Sequence, residues 1–161
     1  MKAQRVIVDG YSLLYHEPRL KHPSAGQLQT AREQLIARLT AVAGLLADRI
    51  TVVFDGRDLP GDQPEKAPSV VEVIFSPEHQ TADTVIERLA HHSANPAGLL
   101  VITSDRAERD TVGAAGGQTM GCSEFLEVLA RTEAELRRKE AAMHQRVPAP
   151  TLGDFFPKNH D

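Results

Sequence analysis

Three short apolar runs each end on an acid. VIVDG carries Asp9, VVFDG carries Asp55 and VITSD carries Asp105. A fourth acid, Asp83, stands in QTADTVIER, where a helix is expected to begin near Thr81. β-Branched runs of this kind, without alternation, are the pattern of strands covered on both faces. In an open parallel sheet, ligands gather at the carboxyl ends of the strands. If the strands lie side by side, the four carboxylates converge on one cleft. Carboxylates brought that close repel, so some must keep a proton or a cation must neutralise them. An all-oxygen set, with no Cys and no His at these strand ends, suits Mg²⁺ or Mn²⁺. Such a site activates a water and stabilises the charge on a phosphodiester as it is displaced.

Each acid also has an ordinary structural role open to it. Asp9-Gly10 and Asp55-Gly56 suit tight turns. Asp105, with Glu108 three residues on, resembles a capping box with Asp in place of Ser or Thr. Asp83 complements a helix dipole. Around the acids, Ser12, Thr103 and Ser104 are placed to hold a metal-bound water or a phosphate oxygen. Arg88 and Arg106 are placed to steady a phosphate by charge-assisted hydrogen bonds.

The elements that must position these residues alternate along the chain. Strands are expected at Val6–Val8, Ile50–Phe54, Val70–Phe75, Leu99–Thr103 and Gln118–Met120. Residues 16–26 and 56–68 read as loops. A helix starts at Gln27, where Leu28, Leu35, Leu39, Val42 and Leu46 form one apolar stripe. A second spans Thr81–His92, and a short one covers residues 106–115. A long last helix is capped by Ser123, with Phe125, Leu129 and Leu136 on its buried side. Alternation of this kind predicts a three-layer α/β/α domain with a central, mainly parallel sheet. Residues 1–146 make that domain, and Pro148 and Pro150 set off residues 147–161 as a Pro-rich tail.

The bulk composition narrows the classes. The chain has 161 residues, enough for one domain with a proper core. The net charge of −4 argues against a tight, sequence-blind nucleic-acid binder held by charge alone. The single cysteine, Cys122, makes no internal disulfide and is expected to be a buried thiol. His16, His22, His79, His91 and His92 lack zinc-ligand spacing and read as surface residues. No run approaches the roughly 20 apolar residues of a membrane helix. The expected location is the cytoplasm.

The segments VDGYSLLY, VVFDG, QTADTVIER and VITSDRAE, in this order and at these separations, resemble the NYN-domain family of YacP-like proteins, which belongs with the PIN-like nucleases. The likeness runs from about Val6 to Leu136. It implies a PIN-like fold and a ribonuclease that depends on Mg²⁺ or Mn²⁺. It also implies Asp9, Asp83 and Asp105 as metal ligands, with Asp55 as a further acid at the same edge. The family usually has DGYN where this chain has DGYS, so Ser12 offers a hydroxyl in place of an amide. The expected activity is endonucleolytic cleavage of single-stranded RNA, with the ribosome as a candidate setting.

Arg57 and Lys66, in the loop after Asp55, are candidates for holding RNA beside the acidic cleft, where local charge outweighs net charge. The run Arg137, Arg138, Lys139 reads instead as a solvated face balanced by Glu133, Glu135 and Glu140. In the tail, Leu152, Phe155 and Phe156 either pack back on the domain or bind a protein partner. They resemble peptides that dock on sliding clamps, with Ala149 where those carry glutamine. Two other functions compete. One is a non-catalytic RNA- or ribosome-binding module on the same fold. The other is a phosphoacceptor domain, which also clusters aspartates at strand ends, but no lysine follows the fourth or fifth strand to pair with an acyl phosphate.

Overall fold

The computed structural model describes residues 2–56 and 70–146. Arg57, Lys66 and the tail residues Leu152, Phe155 and Phe156 lie outside the described residues. Five strands form one sheet: β1 (Ala3–Asp9), β2 (Ala47–Phe54), β3 (Val71–Phe75), β4 (Leu99–Ile102) and β5 (Gln118–Met120). Their order across the sheet is β3-β2-β1-β4-β5, and every pair is parallel. Among the described residues five α-helices cover it: α1 (Gly10–Tyr15), α2 (Ala25–Leu46), α3 (Ala82–His91), α4 (Arg106–Ala114) and α5 (Cys122–Arg146). This is the three-layer α/β/α arrangement that the alternating sequence predicts.

Alternate strand residues feed two separate cores. Val6 and Val8 pack with Leu35, Leu39 and Val42 of α2 and with Phe125 and Leu129 of α5. Ile7 and Val53 face the other way, toward Val85 and Ile86 of α3 and Val112 of α4. The predicted α2 stripe lies inward, with Leu35, Leu39 and Val42 fully covered and Leu28 and Leu46 at its margins. α2 starts two residues before Gln27, because Ser24 and Gln27 form a reciprocal capping box. The long α5 begins at Cys122, so Ser123 lies in its first turn and is not the cap. The first-turn bond runs from the Phe125 amide to the Gly121 carbonyl. Cys122 is fully buried, and all five histidines named above are exposed.

The element that sequence periodicity misses is α1. Six residues are too few to show a helical period. The Asp9-Gly10 pair does not make a turn. Asp9 caps α1 by accepting a hydrogen bond from the Ser12 amide at 3.3 Å. Gly10 is required here for space. A β-carbon on it would sit 2.9 Å from Cζ of Phe54 and closer still to Cε1 and Cδ1 of that fully buried ring. Gly10→Ala therefore overpacks the junction of β1, β2 and α1. The expected loss is about 1–3 kcal/mol, seen as a lower midpoint in a thermal or urea melt, whereas Gly44→Ala, with open space around it, is expected to match wild type or exceed it.

Candidate metal centre

The chain lays down β1, β2 and β3 outward in one direction. It then returns through α3 to place β4 on the other side of β1. The crevice beyond the ends of β1 and β4 is thus the switch point of the sheet, where ligands bind in open α/β folds. Asp9 closes β1 at that crevice and is 8% exposed. Asp83 arrives in the first turn of α3, half-buried. α4 starts just past β4 and brings Glu108, which is 2% exposed. One carboxylate oxygen from each of Asp9, Asp83 and Glu108 lies within 4.8 Å of the others.

Glu108 is the site residue that sequence reasoning passes over. Its spacing from Asp105 suggests a capping box, and half of that box forms. Asp105 Oδ1 accepts from the amides of Ala107 at 2.8 Å and Glu108 at 3.2 Å. The Glu108 side chain does not reach back to the cap. It turns inward, and its Oε2 accepts a 2.7 Å hydrogen bond from Thr103 Oγ1. Its Oε1 is buried and has no donor among the described residues. The Glu108 carboxylate lies among those of Asp83 and Asp9, where like charges crowd it. The signal available in the sequence was helical phase: Glu108 is four residues from the buried Val112, on the inward face of α4.

The electrostatics follow from this crowding. Burial pushes the Asp9 carboxyl up to about 6, and the charges of Asp83 and Asp105 add to the rise against the bonds from Ser12. Burial also pushes Glu108 up, with Asp83 and Asp9 adding to it and the Thr103 hydroxyl opposing it. A buried acceptor without a donor, set among like charges, is the environment that a cation relieves. The donors are all carboxylate oxygens, which fits Mg²⁺ or Mn²⁺ and not a thiolate- or imidazole-seeking metal.

The other predicted residues divide. Asp105 is exposed at the cap of α4, outside the three-carboxylate group but close enough to raise Asp9. Asp55 is half-buried at the end of β2, with its Oδ1 3.5 Å from Ser76 Oγ. Thr103 is fully buried, and its hydroxyl is engaged twice. It donates to Glu108 and accepts from the Asp105 amide at 3.2 Å. Both bonds engage it in positioning the acids and the start of α4. Ser104 Oγ accepts from the Cys122 amide at 3.2 Å. Burial raises the pKa of the Cys122 thiol, against the opposing effect of the Ser104 and Ser12 side chains. Arg88 is exposed and donates to Gln80 Oε1 at 2.7 Å, and Arg106 is exposed in the first turn of α4.

With this geometry in place, comparison with known proteins decides the family. Residues 6–156 match the model of the YacP-like NYN domain. The chain belongs to that family. It is 31% identical over 145 residues to the YacP protein of Bacillus subtilis, covering 89% of this chain and 85% of the relative. It is also similar to the crystal structure of Rae1 (YacP) from Bacillus subtilis, at 30% identity and a TM-score of 0.76, covering 89% of this chain and 83% of that one. A mutant form of that protein superposes at a TM-score of 0.74 with 29% identity, covering 89% of this chain and 86% of the other. The NYN fold is a nuclease fold of the PIN-like kind. Its acidic edge in this chain is the switch-point crevice. No helix among the described residues is long and apolar enough to cross a membrane.

Two predictions follow from the crowded carboxylates. Asp9 titrates higher in the folded chain than its ordinary 3.8, so the metal-free protein loses stability as pH rises from about 4 through about 6. Asp9→Asn keeps the helix cap and removes the charge. It is expected to raise the metal-free melting midpoint at pH 7.5 by the equivalent of about 1–3 kcal/mol, with the gain vanishing near pH 4. Thr103→Val strips Glu108 Oε2 of its donor and the Asp105 amide of its acceptor. Calorimetric Mn²⁺ affinity is expected to fall about 10–100-fold, with Thr103→Ser close to wild type.

Proposed function

We propose that this NYN protein is a divalent-metal-dependent endoribonuclease that hydrolyses phosphodiester bonds of single-stranded RNA in the cytoplasm, with the ribosome as a setting for its substrate. The observation that carries the reading is the group Asp9, Asp83 and Glu108. Three carboxylates lie within 4.8 Å at the switch point, and one of their oxygens is buried without a donor. Family membership adds the nuclease fold.

In this reading Asp9, Asp83 and Glu108 hold Mg²⁺ or Mn²⁺, and Asp105 lies at its margin as a further ligand, directly or through water. When bound, the ion supplies charge stabilisation of the phosphodiester and an acidified water for in-line attack. The chain's own residues do the rest. Thr103 holds the Glu108 carboxylate in one orientation while keeping the start of α4 in register with β4. Asp55, at the neighbouring strand end, orients the attacking water. Arg88 and Arg106, exposed on α3 and α4, steady the phosphate through charge-assisted hydrogen bonds. Arg57 and Lys66 add positive charge from the segment after Asp55.

The test is cleavage of an end-labelled single-stranded RNA with Mn²⁺. Wild type is expected to cut internally. Asp83→Asn and Glu108→Gln are each expected to lose most of the rate, by about 100-fold or more on the scale of lost transition-state electrostatics, with no fall in melting midpoint. A Glu108→Gln protein that cuts at the wild-type rate would falsify the assignment of this acid. RNA binding without cleavage by any form would favour a binding module instead.

A further inference from the structure

One surface of the molecule is used neither by the core nor by the acidic crevice. Tyr15, the last residue of α1, is 60% exposed, and it is the one exposed Phe or Tyr ring among the described residues. It is held in place from beneath. Its ring packs against Tyr11 at a centroid distance of 6.3 Å. Tyr11 in turn meets the buried Phe54 edge-on at 5.2 Å, and its hydroxyl accepts a 2.8 Å hydrogen bond from Arg32 on α2. A large ring exposed on a rigid base differs from a side chain that moves freely at the surface.

The charge around Tyr15 is opposite to that of the chain. The protein carries −4 overall, yet between Gly10 and Arg32 the only acid is Glu17, against Arg19, Lys21 and Arg32. Glu17 pairs with Arg38 at 2.9 Å, and that guanidinium also holds Glu133 at 2.6 Å. Arg19 and Lys21 are exposed in the connection that follows Tyr15. Arg19 and Lys21 make no ion pair among the described residues, and an aromatic face with cations close by in the chain is the combination that binds single strands: bases stack on the ring and phosphates meet the charge. The position is also suitable. Asp9 caps α1, so Tyr15 stands six residues, or about 9 Å of helical rise, beyond that acid.

We infer that Tyr15 is a stacking platform for a base of single-stranded RNA flanking the scissile phosphate, with Arg19 and Lys21 contacting the adjoining backbone. The inference rests on the ribonuclease reading and deepens it by naming where the substrate strand runs. Tyr15 is a binding residue and touches none of the reacting atoms.

Binding of a short fluorescein-labelled single-stranded RNA, followed by anisotropy in metal-free buffer, tests it separately from catalysis. Tyr15→Ala is expected to weaken binding about tenfold or more, the loss of one base–aromatic stack. Tyr15→Phe keeps the ring and is expected to stay within about twofold of wild type. Arg19→Ala/Lys21→Ala is expected to flatten the dependence of affinity on salt. In Mn²⁺ cleavage assays Tyr15→Ala raises KM more than it lowers kcat. Wild-type binding that Tyr15→Ala leaves unchanged overturns the platform while the nuclease reading stands. Absence of RNA binding by wild type overturns both. A wild-type dimer that Tyr15→Ala dissociates, at unchanged RNA affinity, assigns the ring to a second copy of the chain and also overturns the inference.

Discussion

Mutual repulsion of buried carboxylates is the constraint on which the rest of this molecule turns. Asp9 and Glu108 are almost wholly removed from water, and Asp83 joins them within 4.8 Å. Left alone, that arrangement opposes folding, and the raised titration of Asp9 and Glu108 records the opposition. The fold offsets it in part. α3, α4 and α5 all start at this edge of the sheet, so the positive ends of their dipoles lie around the acids. Amides of Ser12, Ala107 and Glu108 donate to Asp9 and Asp105. The remainder is left for a proton or a cation, so the site suits a metal ion by its electrostatics as well as by its ligand type.

The topology explains why these particular residues meet. β1 is central, flanked by β2 and β4, and the direction of winding reverses across it. Only at that reversal do two successive strand ends diverge enough to leave a crevice. Asp9 belongs to one side and the Thr103–Glu108 segment to the other. Asp83 is carried in by the one helix that crosses the sheet between β3 and β4. Thr103 then links strand to helix, since one hydroxyl serves both the Glu108 carboxylate and the Asp105 amide. The acids stand on element ends fixed by two aliphatic cores, a rigid mounting for a site that needs its geometry set before the ligand arrives.

Much of this was legible from residues alone. The β-branched runs ending at Asp9, Asp55 and Asp105 announced parallel strands and their ligand-binding edge, because buried parallel strands leave a strong hydrophobic signature. Asp83 was legible because it opens a clearly amphipathic helix. What escaped had weak or double-valued signals. α1 is too short to show a period, and the S-x-x-Q at Ser24 that marks the true start of α2 lies in a stretch that reads as a loop. Glu108 was hidden by a capping pattern that Asp105 satisfies without it. The bond from Thr103 to Glu108 was not legible, since nothing in a linear sequence says that an acid five residues on has turned inward to take its hydrogen bond. For Asp9, capping a helix and facing the acidic crevice are not alternatives. One oxygen caps α1 while the carboxylate faces Asp83 and Glu108.

The most direct test of the account is a crystal of the protein soaked in Mn²⁺, with the ion located by its anomalous scattering. An ion is expected at the switch point, bonded to oxygens of Asp9, Asp83 and Glu108 at ordinary Mn–O distances, and lost from a Glu108→Gln crystal. An ion held at the strand edge by Asp55 and Asp105 alone, or no ion at this edge at millimolar Mn²⁺, would contradict it.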